Sequence, residues 1–351
     1  MGSTFDDEMK PGSTVFIPYC HGPTYVASPL TELSAGADLH DEQRGIFGER
    51  WGLSSDHLYS DYKEMLANEE LDIVSVCTTA KIRAGIVEDA ARAGVKAIWA
   101  EKPIAISLEE ADAMVNVCRE NGVMLAVNCS RRWHPFYSQA RRLIDEGELG
   151  QILQVTGYCR CGLSHNGSHL IDAVRFLAVG EVEWVFGEME SDEAASGDKD
   201  LMGNGYLAFD NGVRSYIRST PTGAASWEIH VIGEKGMIRF KSNGQGQELV
   251  LMRGNQPAEV PFPWPVRMQG MGLTILEDIV HSIETGQPPK CSGDDGRAAL
   301  EVAVALRESH RRGCVKVTLP VEDRSLAIHS LETLHGDLPA RIRRQGNAPS
   351  R

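Results

Sequence analysis

The sequence predicts an α/β protein in two parts: a parallel-sheet domain, then an open, mostly antiparallel sheet domain with flanking helices. Three observations lead to this fold class. The chain has 351 residues, more than one hydrophobic core usually holds. Apolar runs alternate with helical periodicity between residues 14 and 127, which is typical of strand-helix-strand units. After Arg132 the pattern changes to short alternating strands separated by turns. We therefore predict domains at residues 1–130 and 131–335 and a polar tail at 336–351.

The elements of the N-terminal domain follow from the spacing of apolar residues. Strands are predicted at 14–19, 33–37, 73–78, 97–100 and 124–128, and helices at 42–51, 61–67, 84–93 and 108–121. The last helix is the best marked. Ser107 can cap it, and Glu109 and Glu110 lie in its first turn, near the positive end of the helix dipole.

The elements of the C-terminal domain follow from alternation and turn residues. A helix at 135–146 leads into a strand at 151–160 that alternates like a half-buried strand. Further strands are predicted at 183–189, 205–209, 213–219, 227–233, 236–241 and 248–253, with turn residues such as Asp-Asn-Gly at 210–212 between them. Helices at 273–285 and 296–312 complete the domain.

The composition argues against several classes of function. The net charge of −14 and the scattered lysines and arginines argue against nucleic-acid binding, which needs clustered positive charge. No apolar run approaches the ~20 residues that span a bilayer, and the N-terminus is acidic, so we expect a cytoplasmic protein with no membrane contact. The eight cysteines lack the spacing of a disulfide framework or zinc ribbon, which predicts reduced thiols. The expected partner is a small molecule.

The first strand-helix unit is atypical for a Rossmann-like domain. In such a fold this turn uses glycines so that a pyrophosphate can approach the backbone. Asp38 ends a short apolar run with a carboxylate suited to the adenine ribose hydroxyls, which favours NAD over NADP. Counting back about 20 residues from Asp38 puts Pro18, Cys20 and Pro23 at the three glycine positions. The first helix must therefore be short or absent, and pyrophosphate binding weakened or rerouted. The alternative role for Asp38 is to cap the helix that begins near Asp41.

Two segments carry a resemblance to a known family. Glu101-Lys102-Pro103 follows an apolar strand, and the segment 166–172 (Asn-Gly-Ser-His-Leu-Ile-Asp) opens an amphipathic helix. Together they resemble the family of glucose-fructose oxidoreductase, inositol dehydrogenase and MocA, and the resemblance runs from Asp38 to about Gly313. It implies a nicotinamide-binding domain followed by a sheet domain that holds a sugar or polyol.

The resemblance also implies roles for individual residues. Lys102, joined to Pro103 by a cis bond, would reach the substrate hydroxyl, because a base or polarising cation must act there while hydride leaves carbon. His169 would take part in proton transfer. The family has an aspartate four residues before this histidine, and here that residue is His165. The residues implied to bind the cofactor are Asp38, Thr78, Thr79, Glu101 and Lys102.

The histidine at position 165 leaves more than one proton route open. Asp172 lies three residues after His169 on the same helical face and is a candidate to orient its imidazole; a different route is the alternative. His165, His169 and Asp172 also have metal-ligand spacing, which would indicate lyase or hydrolase chemistry. We predict no metal, because Asn-Gly-Ser interrupts the helical face after His165. The predicted substrate contacts are Asn166, Trp133, for which core packing is the alternative, and Arg160, which would suit a carboxylate or phosphate.

The expected function is NAD-dependent oxidation of a secondary hydroxyl on a sugar, cyclic polyol or sugar-like metabolite. Two alternatives stay open. A tightly bound NAD that is oxidised and reduced within one cycle would give a lyase, glycosidase or epimerase without net redox change. A defunct nucleotide site would give a nucleotide-free lyase or a binding protein. The resemblance implies a homo-oligomer, a dimer or tetramer, with a hetero-oligomer containing a related subunit as the alternative.

Overall fold

Parallel strands form the N-terminal region of the computed structural model, which describes residues 17–223, 227–243, 246–261 and 269–329. β1 (Gly36–Ala37) pairs with β2 (Leu58–Tyr59). A separate three-stranded sheet has the order β3 (Ile73–Val76), β4 (Ala97–Ala100), β5 (Met124–Val127). All of β4 is buried, as expected for a parallel strand covered on both faces.

Helices connect these strands as the alternating pattern predicts. They are α1 (His21–Ala27), α2 (Asp41–Trp51), α3 (Tyr62–Asn68), α4 (Ala80–Arg92) and α5 (Leu108–Glu120). The predicted cap of α5 is present, because the Ser107 side chain accepts a hydrogen bond from the backbone N–H of Glu110. The strand-helix alternation of this region is therefore confirmed.

The first strand-helix unit departs from the predicted elements. The strand predicted at 14–19 is wrong over its described part, because residues 17–19 are irregular; residues 14–16 lie outside the described residues. Pro18 has no N–H to donate to a strand ladder, which is the physical reason. Of the strand predicted at 33–37, the structure has a strand at the two residues of β1 alone. The prediction of a short first helix is confirmed, since α1 has seven residues.

A nine-stranded sheet dominates the C-terminal region. Its order is β13-β12-β11-β10-β6-β9-β8-β7-β14, and its pairs are antiparallel except β6 with β9. The strands are β6 (Ile152–Cys159), β7 (Val182–Met189), β8 (Gly203–Phe209), β9 (Arg214–Ser219), β10 (Trp227–Gly233), β11 (Gly236–Asn243), β12 (Gly246–Arg253), β13 (Gln256–Ala258) and β14 (Val317–Thr318). The predicted open, mostly antiparallel sheet is confirmed.

Helices cover one face of this sheet and link it to the parallel sheet. They are α6 (Pro135–Asp145), α7 (Gly167–Ala178), α8 (Asp192–Ser196), α9 (Met271–Thr285) and α10 (Gly293–Arg311). Gly187 on β7 lets α10 approach closely, because a Cβ there would lie 2.0 Å from the Leu306 carbonyl oxygen. α10 begins three residues before its predicted start, since Ser292 and Asp295 form a capping box.

The elements missed by the sequence analysis are short. β2, β13 and β14 have two or three residues each, and α8 has five. Periodicity needs several residues to be visible, so such elements form only where a longer neighbour offers pairing or packing. The domain boundaries near residues 130 and 335 remain predictions.

Candidate functional site

The two halves of the chain meet at Lys102 and Asn166. Lys102 follows β4 at the carboxyl edge of the parallel sheet, and Asn166 immediately precedes α7. The buried Lys102 ammonium donates a hydrogen bond to Oδ1 of Asn166 at 3.1 Å. The Lys102–Pro103 bond is cis, as the resemblance implied. A buried cation therefore lies where the two sheets face each other.

A buried ion pair supports the backbone next to Lys102. His21 Nε2 lies 3.2 Å from Oε1 of Glu101, and Asn128 donates to the same oxygen at 2.8 Å. Burial alone lowers the pKa of His21, but Cys77 and the Glu101 carboxylate raise it to about 9. Burial raises the pKa of Glu101, but His21 and the other neighbours lower it to about 2. Both side chains are therefore charged at neutral pH.

His21 packs against the parallel sheet and follows the turn that lacks the glycine-rich loop. Its imidazole stacks on Trp99 with 3.6 Å between ring centroids, and Nδ1 contacts the Ser75 hydroxyl at 2.9 Å. The neighbouring edge is held by Arg83, which is buried and donates to the carbonyl oxygens of Thr78 and Pro103. Sequence analysis singled out neither His21 nor the bridging position of Arg83.

His169 lies in the first turn of α7, three residues after Asn166. The side chain is buried, and its Nδ1 atom has no hydrogen-bond partner among the residues that the structure describes. Burial lowers the pKa of His169 well below its usual value, and the positive charges of Arg131 and Lys102 and the neighbouring His165 lower it further. The imidazole is therefore neutral at neutral pH, and one of its ring nitrogens carries a lone pair.

Asp172 does not occupy the orienting position predicted for it. Its carboxylate accepts hydrogen bonds from Arg132, from Nε at 3.1 and 3.0 Å and from Nη2 at 2.8 Å, and Arg175 lies 3.8 Å away. Asp172 is fully buried, so an unpaired charge there would be costly, and two arginines supply the compensation. The hypothesis that Asp172 orients His169 is corrected on this geometry: Asp172 joins α7 to the turn after β5.

A different carboxylate supports the segment before His169. Asp200 accepts backbone hydrogen bonds from Ser164 and His165, both at 2.8 Å. Burial raises the pKa of Asp200 to about 6, although these backbone donors and the charge of Lys102 oppose the shift. Asp200 follows α8 in a loop without periodicity. The sequence offered no signal for this contact.

Comparison with known proteins agrees with this two-domain arrangement. Residues 14–129 match the family described as "Oxidoreductase family, NAD-binding Rossmann fold", and residues 161–319 match the C-terminal alpha/beta domain of the same family. The chain belongs to this oxidoreductase family. The fold class and the family resemblance read from the sequence are both confirmed.

Relatives of this oxidoreductase family match most of the chain. The D-apiose dehydrogenase of Paraburkholderia graminis is 27% identical over 312 residues, 80% of this chain and 82% of the relative. The scyllo-inositol 2-dehydrogenase (NAD(+)) of Bacillus subtilis is 27% identical over 275 residues, 72% of this chain and 79% of the relative. The crystal structure of an inositol dehydrogenase homolog from Azotobacter vinelandii, complexed with NADH and myo-inositol, has the same fold. Its TM-score is 0.71 at 19% identity, and the match covers 82% of this chain and 90% of that one.

Several residues of this oxidoreductase fit NAD at the carboxyl edges of β1 and β3. The Thr78 hydroxyl is buried and has no hydrogen-bond partner within the described parts of the chain, so a ligand can use it. Thr79 precedes α4 and makes no capping bond with its side chain. Asp38 follows β1 with an exposed carboxylate, and one of its oxygens accepts the backbone N–H of His40. The N-cap of α2 is His40, so Asp38 does not cap that helix as the alternative role required. Its hydrogen bond with His40 stabilises the turn before the helix.

The turn that leads into α1 has no glycine-rich loop. Pro18, Cys20 and Pro23 stand there, and α1 begins directly after Cys20. Cys20, His21 and Thr24 are buried, and Thr24 Oγ1 donates to the Cys20 carbonyl. NAD thus finds fitting groups at both ends, while weakened or rerouted pyrophosphate binding stays a prediction.

Two of the predicted substrate contacts point elsewhere. Trp133 is buried and donates from Nε1 to Asp278 of α9 at 3.0 Å, so the alternative of core packing is correct for this side chain. Arg160 is exposed and donates to the Gly223 carbonyl at 3.3 Å. Asn166 does face Lys102.

The metal site considered for His165, His169 and Asp172 is disfavoured, because Asp172 is bound to Arg132. The positive charge of Arg132 also disfavours a cation at the buried cluster of Cys129, Asp172 and Cys291.

No helix within the described ranges has both the length and the apolar character that crossing a bilayer requires.

Proposed function

We propose that this protein is an NAD-dependent oxidoreductase that oxidises a secondary hydroxyl of a sugar, cyclic polyol or sugar-like metabolite. The observation that carries the proposal is the meeting of Lys102 with the segment Asn166–His169 between the two sheets. The named dehydrogenase relatives support net oxidation over the lyase, glycosidase, epimerase and binding-protein alternatives.

In this proposal Lys102 and His169 have different roles at the substrate hydroxyl. The ammonium of Lys102 binds the hydroxyl oxygen and stabilises the negative charge that develops there, an effect that is strongest in a buried site. His169, neutral because of burial and nearby cations, accepts the proton at a ring nitrogen. Asn166 positions Lys102 through the 3.1 Å hydrogen bond. His165 lies in the backbone segment held by Asp200.

Residues of the N-terminal domain would hold the cofactor. Asp38 would bind the adenine ribose hydroxyls, and Thr78 and Thr79 would contact the nicotinamide half, with Glu101 and Lys102 beside it. When bound, NAD supplies the acceptor for the hydride. The orphaned Thr78 hydroxyl supports this placement, because a buried unpaired hydroxyl costs free energy until a ligand satisfies it.

The test combines nucleotide binding with a lysine variant. NAD and NADP binding are measured by calorimetry, and turnover by absorbance of reduced cofactor over a panel of aldoses and cyclic polyols. Lys102→Met should lower kcat/KM at least about a hundredfold and leave the Kd for NAD within about threefold. Lys96→Met is the matched control, because Lys96 precedes β4 on the surface and forms an ion pair with Asp72. Absence of NAD binding, or full turnover by Lys102→Met, would refute the proposal.

We also propose a homo-oligomer built through the open face of the large sheet. Phe186, Tyr206 and Tyr216 lie side by side on β7, β8 and β9, and each exposes between 37% and 45% of its surface. A contiguous aromatic patch of this kind is typical of an interface. Tyr216→Asp should reduce the mass measured by light scattering to that of a smaller assembly, whereas a monomeric wild type would contradict the proposal.

We place the protein in the cytoplasm. All eight cysteines lie in the described part of the chain, and none of them forms a disulfide there, which supports a reducing compartment.

A further inference from the structure

Arg131 is a cation at the candidate site whose guanidinium lies against an aromatic ring. It lies in the 3-10 turn Ser130–Trp133, directly after β5, and is partly buried. Its guanidinium stacks over the Trp227 ring at 4.8 Å from the centroid. Among the residues that the structure describes, no carboxylate forms an ion pair with Arg131. Its neighbour Arg132, in contrast, is fully engaged with Asp172 and Asp295.

Contacts of the flanking residues place Arg131 beside the cleft. Asn128, three residues earlier, donates to Glu101, the neighbour of Lys102. Arg132, the next residue, binds Asp172, one turn after His169 on α7. The backbone at Arg131 is therefore held between the segment that carries Lys102 and the helix that carries His169. Its positive charge also helps to lower the pKa of His169, as expected for a cation close to that imidazole.

The two buried carboxylates nearest Lys102 are held by groups other than Arg131. Glu101 is neutralised by His21, and Asp200 is committed to the backbone N–H groups of Ser164 and His165. The Lys102 ammonium donates to a neutral amide oxygen, that of Asn166. A guanidinium stacked on an aromatic ring is held in place at low entropic cost and keeps its N–H fork free for a ligand.

We propose that Arg131 binds a carboxylate of the substrate, so that the preferred substrate is a sugar acid rather than a neutral sugar or polyol. This inference rests on the proposed function, because it names the substrate class of that same site. A single guanidinium matches the charge and the two oxygens of one carboxylate, and glucose 6-phosphate is among the probes below so that a phosphate is distinguished from a carboxylate. Arg131 thereby replaces Arg160 as the specificity residue, since Arg160 is exposed and bound to a backbone carbonyl.

The experiment compares carboxylate and neutral probes of the same size. Binding of D-glucuronate, D-galactonate, D-glucose, D-galactose and glucose 6-phosphate is measured by calorimetry with NAD present. Initial rates follow reduced cofactor. The wild type should bind at least one carboxylate probe about tenfold or more tightly than its neutral counterpart, since charge-assisted hydrogen bonds are the stronger kind. Arg131→Gln should remove this preference and leave the Kd for NAD and for neutral probes within about threefold.

Two further variants separate recognition from structure. Arg131→Lys keeps the charge and should retain part of the preference, and Arg160→Gln is the matched control that should retain all of it. The inference is overturned if carboxylate probes bind no tighter than neutral ones, if glucose 6-phosphate is preferred, or if Arg131→Gln weakens every probe equally. Oxidation of neutral sugars by the wild type at least as fast as oxidation of the carboxylate probes would overturn the inference while leaving the proposed function intact. Absence of NAD binding would refute the proposed function itself.

Discussion

Replacing Asp172 by Asn separates a structural role from a catalytic one. Asn keeps the shape of the side chain and removes the charge, so Arg132 loses the carboxylate to which it donates three hydrogen bonds between 2.8 and 3.1 Å. Removing one partner of a buried ion pair costs about 3–5 kcal/mol, because the other charge stays buried and uncompensated. Asp295 and the retained amide oxygen compensate in part, so we expect the lower end of this range, about 3 kcal/mol.

The assay is urea unfolding followed by circular dichroism, together with kcat/KM on the best substrate. Asp172→Asn should lose about 3 kcal/mol of unfolding free energy, with kcat/KM within about threefold under conditions where the protein stays folded. Asp145→Asn is the control, since Asp145 is exposed and pairs with Arg141 one turn away on α6, so that its loss should cost about 1 kcal/mol or less. A fall in kcat/KM of a hundredfold or more with unchanged stability would refute this reasoning and return Asp172 to the role of orienting His169.

Three further predictions follow from the ionisable groups. Cys77 and then Glu101 raise the pKa of His21 to about 9, so the charged His21 should add ~3 kcal/mol to stability below pH ~6.5, and this contribution should be lost as pH rises through 9. His21→Gln should flatten this decline in thermal melts between pH 6 and 10, and an unchanged pH profile would contradict the ion pair. Asp200, with its pKa raised to about 6, should give kcat/KM an acid limb near pH 6. Asp200→Asn should abolish this limb and lower kcat about tenfold by loosening the Asn166 segment, whereas the neighbouring Asp198→Asn should keep the limb; a limb that persists in Asp200→Asn would assign it to another group. His169→Gln should reduce kcat at least about a hundredfold with little change in melting temperature, and the exposed His281→Gln should not; equal activity of the two variants would remove His169 from the chemistry.

Local patterns predicted the longer elements because their signals are contained in a few adjacent residues. The Ser107 cap, the buried run of β4 and the alternation of β6 each show in the sequence itself. The first strand failed for a local reason as well, since Pro18 interrupts its apolar run, and a proline lacks the N–H that a ladder needs.

The partners of individual site residues could not be predicted. Asp172 has the spacing to face His169, yet it pairs with Arg132, which comes from a turn 40 residues earlier. Asp200 reaches the segment before α7 from a loop 35 residues further on. Helical spacing restricts which residues share a face, but it does not say which other element covers that face.

The sequence by itself determined the family and the two-domain α/β architecture, and it predicted the pair Lys102 and His169 from short segments of fixed spacing. Only the tertiary structure decided what surrounds these two residues: His21 against Glu101, Asp172 against Arg132, and Arg131 against Trp227. The physical reason is that a buried charge must find compensation wherever packing brings an opposite group, and packing joins residues that are far apart in the chain.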